Sequence, residues 1–329
     1  MMSCNSSMSF LPSPTWNLVF GGINVAVSVT ATLENLLVLF ILFWYKDLHT
    51  LTNRIFVSLA VTDVMVGLTA APLHAAELLI KDFSHNCLAD QARRSISSVL
   101  IGASAFTIAT ISYDRYLHLT KLCNYNEHMT KRKINIFIAF SWMIPGILPI
   151  LQILDKSKNI YVSVFSAFMG TVFIVLLICY VMILSVLRQR AAWRKRSAQL
   201  EIRQLRTMKT VITIITCYFI MGLPVTIPLI LLVFRIDPKT NGAIYVSVLT
   251  LNMLNSSVNP VIYYCRNPNF KRNAMRLFYL NTSRNQINCS VAGCEVNHSV
   301  NHCILNKGTT SPETTAYKKQ DGKKSDAKR

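Results

Sequence analysis

Four charged side chains stand where the surrounding residues are apolar. Glu34 and Asp63 each interrupt a long run of Val, Leu, Ile and Ala, and Asp114 is followed by Arg115 at the end of a third run. Ionisable groups in such a setting are costly to bury and mark functional sites by default. Each is a candidate functional residue for that reason. Short words surround them: LAVTD ending at Asp63, SYDRYL around Asp114, Arg115 and Tyr116, a lone Trp142 in a further apolar run, and NPVIY from Asn259 and Pro260 to Tyr263. Metal-dependent catalysis would want clustered His and carboxylates. Of the seven His, only His74 lies within an apolar run, with His118 at the end of another.

The elements that carry these residues follow from composition. The chain has 329 residues, 52% hydrophobic and 15% charged, with a mean hydropathy of +0.37. That is too oily for a disordered chain or an ordinary soluble enzyme. Apolar runs long enough to cross a bilayer, about 20 residues, extend over roughly 16–43, 55–80, 95–119, 134–154, 161–187, 208–234 and 243–265. A barrel strand needs only about 10 residues, so these runs predict helices, whose backbone bonds close within the segment. The expected fold is an all-α membrane protein, a seven-transmembrane-helix bundle.

Charge gives the expected orientation. Of the 34 Lys and Arg, 27 fall beside one face of the bundle and seven beside the other (Lys81, Arg93, Arg94, Lys156, Lys158, Arg235, Lys239). The positive-inside rule then places the N-terminus outside. The formal charge of +19 is largely this bias, so nucleic acid is not an expected partner. Residues 1–15 form an extracellular N-terminus without the basic and apolar regions of a cleaved signal peptide, and Asn5-Ser6-Ser7 is a glycosylation sequon. Residues 16–265 form the bundle. Residues 266–280, where Phe270, Met275, Leu277 and Phe278 alternate with Lys271, Arg272 and Arg276, read as a short amphipathic eighth helix on the inner leaflet, in contact with membrane lipids. Residues 281–329 are polar and poor in apolar side chains, the composition of a disordered cytoplasmic tail. Nine Cys are dispersed with no CxxC pair, which excludes zinc ribbons and a dense disulfide framework.

Taken together, LAVTD, the DRY triplet Asp114-Arg115-Tyr116, Trp142 and NPVIY resemble the rhodopsin-like (class A) family of G-protein-coupled receptors, over nearly the whole chain. The resemblance implies a plasma-membrane receptor that is not an enzyme and that turns binding of an extracellular ligand into nucleotide exchange on a heterotrimeric G protein. It implies that Arg115 pairs with Asp114 at rest and is released toward the Gα subunit on activation. Tyr180 and Tyr263 occupy the positions that swing toward the released arginine, and Pro224 the kink of the sixth helix. Asp63, Ser104, Asn255, Ser256 and Asn259 match the family's pocket for a sodium ion, an allosteric ligand; no cofactor is required. Asn35 would support Asp63. By the same resemblance the ligand pocket is lined by Ser97, Ser98, Ile101, Val225, Thr226, Leu249, Asn252, His74 and Glu77. Arg93 and Arg94 are candidates for meeting an anionic headgroup. The Ser/Thr cluster around Glu313 would serve a receptor kinase and arrestin.

The departures from the family pattern narrow the function. Met253 replaces the Schiff-base lysine of opsins, and Ser97, eighteen residues before Arg115, replaces the carboxylate that pairs with amines. Retinal is excluded and a biogenic amine disfavoured, leaving a small molecule, a lipid or a short peptide. Gly222 stands where the family has a tryptophan, with Tyr218 and Phe219 as candidates to take over its packing. Gln204 replaces a common acidic partner of the arginine, and Val172 replaces a proline of the fifth helix. The family's extracellular disulfide has no second-loop cysteine here. Cys87 lies three residues before the expected place, which leaves a Cys4 to Cys87 bond open. Some features resemble melanocortin, cannabinoid and lysophospholipid receptors, others adenosine and amine receptors. The alternatives to a receptor are a membrane transporter or channel, and a decoy that binds without signalling.

Overall fold

The computed structural model describes residues 14–80, 83, 86–121, 124–154, 159–192, 212–222, 224, 238–266 and 270–277. They belong to one compact unit, Met1–Leu280, and no strand occurs among them. The long helices are α1 (Pro14–Trp44), α2 (Leu51–Leu79), α3 (Cys87–Thr120), α4 (Lys131–Leu154), α5 (Asn159–Ala192), α6 (Ile212–Gly222) and α7 (Pro238–Arg266); a further helix, α8, covers 270–277. Among the described residues, α1 to α5 contain stretches long and apolar enough to cross a membrane, and α6 is a shorter apolar piece.

The helices are apolar all round, as a lipid setting demands. Leu18, Val25, Leu33 and Phe40 of α1 and Ile147, Ile150 and Ile153 of α4 are exposed. α3 is the exception. Of its most apolar stretch 72% is buried, against 33% for α1 and 22% for α4, so α3 is the central post on which α2, α4 and α5 pack. Helix starts follow side-chain capping. The Thr50 hydroxyl accepts from the Asn53 N–H at the head of α2, and Asn86 Oδ1 accepts from the N–H groups of Leu88 and Ala89 at the head of α3.

Midway along α2 the helix widens into a π turn over Val66–Ala70. Pro72 supplies the cause: it has no N–H to offer the Leu68 carbonyl, and its ring crowds that carbonyl. The Ser28 hydroxyl of α1 donates to the Gly67 carbonyl at 2.7 Å. The backbones approach closely here, since a Cβ on Gly67 would lie 2.4 Å from Thr32 Oγ1 and 2.8 Å from the Thr32 backbone N. Only glycine fits. Beyond the turn, α2 carries His74 and Glu77 into buried positions.

α8 buries Phe270, Asn273 and Ala274 and exposes Lys271, Arg272, Met275 and Arg276. The expected apolar stripe is thus divided: Phe270 packs into the protein, Met275 faces outward, and Phe278 lies outside the described residues. The tail from 281 and the glycosylation sequon at Asn5 also lie outside them.

Candidate functional site

Three polar constellations lie along the α2–α3 axis. At the end carrying Arg115, Asp114 is fully buried and accepts hydrogen bonds from three groups. Arg115 donates Nε–H at 2.9 Å and Nη2–H at 2.5 Å to Oδ2. The Thr52 hydroxyl of α2 donates to the same oxygen at 3.0 Å, and the Tyr125 hydroxyl donates to Oδ1 at 2.5 Å. Thr52 also accepts from Arg115 Nη2, so one hydroxyl touches both members of the pair. Tyr125 sits on the short helical turn Tyr125–His128 and packs its ring against His118 of α3 at 4.9 Å. Burial, followed by the charge of Asp114 and its hydrogen bond, pushes the Tyr125 phenol up to about 12. It stays a donor throughout the neutral range.

Sequence reading singled out Asp114, Arg115 and Tyr116 but missed Thr52 and Tyr125. Thr52 lies 62 residues from Asp114 and Tyr125 eleven residues beyond it, spacings with no local signature. Tyr180 and Tyr263 make no bond to Arg115. The ring of Tyr180 meets Phe219 edge-on at 6.4 Å. That of Tyr263 packs edge-on against Phe56 of α2 at 5.0 Å, its hydroxyl buried without a hydrogen bond.

Mid-bundle, Asn259 Nδ2 of α7 donates to Asp63 Oδ2 at 2.8 Å. Asp63 Oδ1 and the Ser104 hydroxyl of α3 are both buried without a hydrogen bond. Asn255 and Ser256 are buried as well, and Asn35 Nδ2 of α1 donates to the Ser256 carbonyl at 2.9 Å. The five residues expected to form a cation pocket are thus all buried. Two of their oxygens lack partners, which is what an oxygen-ligated cation would require. Trp142 of α4 donates to the Ser58 hydroxyl at 3.1 Å, tying α4 to α2. Glu34 keeps one buried oxygen without a partner, and nothing in the structure explains it.

At the opposite end a third cluster joins α2 to α3. His74 Nδ1 donates to Glu77 Oε2 at 2.9 Å. Glu77 Oε1 is in ion-pair contact with Arg93 at 2.9 Å, Arg93 bonds Asp90 at 3.0 Å, and Arg94 closes on the other Asp90 oxygen. His74, Glu77, Asp90 and Arg93 are all buried. Arg93 and Arg94, candidates from the sequence for meeting an anionic headgroup or a peptide carboxylate, are both engaged by carboxylates of this chain. Asp90, the third residue beyond Cys87, was missed: it stands where the expected disulfide cysteine would be. Cys87 itself is disulfide-bonded, and Cys4 lies outside the described residues.

Below this cluster, Ser97, Ser98, Leu249 and Asn252 are buried, as is Ile101. Ser98 donates to the Ser95 carbonyl at 2.9 Å. Val225 and Thr226 lie outside the described residues; Pro224 is helical. Where a tryptophan was expected, Gly222 leaves room that Tyr218 approaches. A Cβ on Gly222 would lie 3.2 Å from Tyr218 Cζ and 3.4 Å from Phe173 Cζ. Tyr218 stacks on Phe173 at 5.5 Å, and Phe173 meets Phe219 at 5.9 Å.

The central post of this helical bundle thus ends in a buried acid–arginine pair. The sequence matches the 7 transmembrane receptor (rhodopsin family) over residues 34–161 and 152–263, and the chain belongs to this family: it is a multi-pass G-protein-coupled receptor. It is 25% identical over 261 residues to the histamine H2 receptor of Rattus norvegicus, covering 71% of this chain and 72% of that protein. To the 5-hydroxytryptamine receptor 4 of Homo sapiens it is 26% identical over 296 residues, covering 75% of this chain and 76% of the other. To the tachykinin-like peptides receptor 86C of Drosophila melanogaster it is 23% identical over 385 residues, covering 98% and 72%.

Proposed function

We propose that this receptor works at the plasma membrane with its N-terminus outside, binding a small extracellular molecule, lipid or short peptide between α2, α3 and α7. The observation that carries the reading is the Asp114–Arg115 pair, buried and bonded to Thr52. Arg115 leaves it on activation and meets the Gα subunit, while Tyr180 and Tyr263 turn toward the vacated space. A ligand drives this only through its different affinity for the two states. The relatives' names point to amines and to peptides. Ser97 offers no countercharge to an ammonium, so this chain departs from the amine pattern.

Asp63, Ser104, Asn255, Ser256 and Asn259 are suited to hold a sodium ion, Asp63 supplying the charge and the others neutral oxygens. Bound there, the ion would favour the resting state. Receptor kinase and arrestin are the further partners proposed for the tail. The test is nucleotide exchange across a panel of Gα subtypes in membranes, comparing the chain with Arg115→Ala at matched surface expression. Exchange that depends on Arg115 supports coupling, and equal activity of the two proteins refutes the assigned switch.

A further inference from the structure

The cluster at the α2–α3 end was expected to be a pocket wall, but its bonding pattern is more specific. Asp90, Arg93, Glu77 and His74 form one chain of contacts. A carboxylate can only accept from the imidazole unless it is itself protonated, so Glu77 fixes the proton of His74 on Nδ1. With its Nδ1 proton given to Glu77, the neutral ring presents Nε2 as an acceptor. Nε2 is buried and has no hydrogen bond. An unmet buried acceptor is costly.

Helix direction places this atom. α2 and α3 run in opposite senses through the bundle, and Glu77 faces Arg93 across their interface. His74 lies three residues back along α2 and Ser97 four residues on along α3, each about one turn deeper than that ion pair. The unmet acceptor and the Ser97 hydroxyl therefore share one level.

We propose that this level receives an uncharged hydrogen-bond donor, an alcohol hydroxyl or an amide N–H, with His74 Nε2 as the acceptor and Ser97 beside it. The proposal rests on the receptor reading above and deepens it by naming the ligand's polar group. A cationic head would find both carboxylates already paired, and an anionic head would have to pull the arginines from Asp90. Glu77 and Arg93 are positioning residues that hold the imidazole and do not themselves need to touch the ligand.

The test uses purified full-length receptor and probes that share one ring: 2-phenylethanol and its amide analogue N-(2-phenylethyl)acetamide as neutral donors, 2-phenylethylamine as the ammonium, and phenylacetate as the anion. Thermal shift over a concentration series gives apparent affinities. The neutral donors should stabilise the wild type more than the charged analogues. His74→Phe should weaken them about tenfold, the effect of one hydrogen bond to a buried acceptor, while His74→Gln, which keeps an acceptor, should stay within about threefold. Preference for the ammonium or the anion, no stabilisation by either neutral donor, or unchanged affinity in His74→Phe would each overturn the proposal. Basal nucleotide exchange on the same preparations reports the coupling reading separately. Neutral-donor binding without exchange would fail coupling alone, and exchange without neutral-donor binding would fail this inference alone.

Discussion

Replacing Thr52 with valine tests the switch at a residue that carries no charge. Valine keeps the shape of threonine and removes one hydroxyl. In the resting arrangement that hydroxyl donates to Asp114 at 3.0 Å and accepts from Arg115. Both partners belong to one buried ion pair, so each bond belongs to the stronger class, about 1.5–3 kcal/mol. On the proposed switch, the bond to Arg115 exists only while the arginine is at rest, whereas the bond to Asp114 can persist after release. The differential loss is therefore one charge-assisted bond. Thr52 is half-buried and water can replace part of the bond, so about 1.4 kcal/mol is the working figure, a tenfold rise in the active-to-resting ratio. A receptor resting at about 1% active would move to about 10%.

The assay is basal exchange of a non-hydrolysable GTP analogue in membranes, with no ligand and at matched surface expression. Thr52→Ser keeps the hydroxyl and should match the wild type. Asp114→Asn weakens the pair from the other side and should rise at least as far as Thr52→Val. Basal exchange in Thr52→Val equal to or below that of Thr52→Ser would show that the hydroxyl does not bias the equilibrium, and the argument from its two bonds would fail.

Three further outcomes are expected. Tyr125 has its folded-state pKa raised to about 12, so its bond to Asp114 contributes stability that is complete below the unfolded value near 10 and is lost as pH rises from there through about 12; detergent melting curves of wild type and Tyr125→Phe should converge over that interval, and a constant gap would contradict the bond. Asp63→Asn should abolish any effect of sodium, relative to potassium at equal ionic strength, on agonist-free exchange, and a sodium effect that survives would place the ion elsewhere. Gly67→Ala forces a Cβ to within 2.8 Å of the Thr32 backbone nitrogen and should lower stability by about 1–3 kcal/mol, read as a fall in melting temperature; an unchanged melting temperature would mean that α1 and α2 are not held this close.

The seven helical segments were legible because apolar runs of bilayer length have few other uses, and the buried acid–arginine pair because it sits at the end of such a run. What stayed hidden depends on contacts between segments. Thr52 and Tyr125 become partners of Asp114 only when α2 and the turn after α3 fold against one another. Arg93 and Arg94 looked like surface charges because their counterions are on the same helix turn and on a different helix. The π turn at Val66–Ala70 was hidden too, although Pro72 is its cause. A proline five residues past a glycine signals a break in the helix without saying whether it becomes a kink, a wide turn or an end.

Gly222 shows how the departures fit one another. A tryptophan at that position would have to occupy space that the Tyr218 and Phe173 rings border, since even a Cβ meets them at 3.2 and 3.4 Å. The loss of the large side chain and the placement of Tyr218 are thus two sides of one packing solution, and the ring stack from Tyr218 through Phe173 joins α6 to α5. Around Gly222 this stack, rather than one large side chain, links the two helices. The coupling is measurable as a double-mutant cycle. Gly222→Trp alone should lower thermal stability, and Tyr218→Ala in the same chain should recover part of the loss by clearing the space. If the second substitution adds its own full cost instead, the two side chains do not compete for one volume, and Tyr218 is not what stands in for the missing tryptophan.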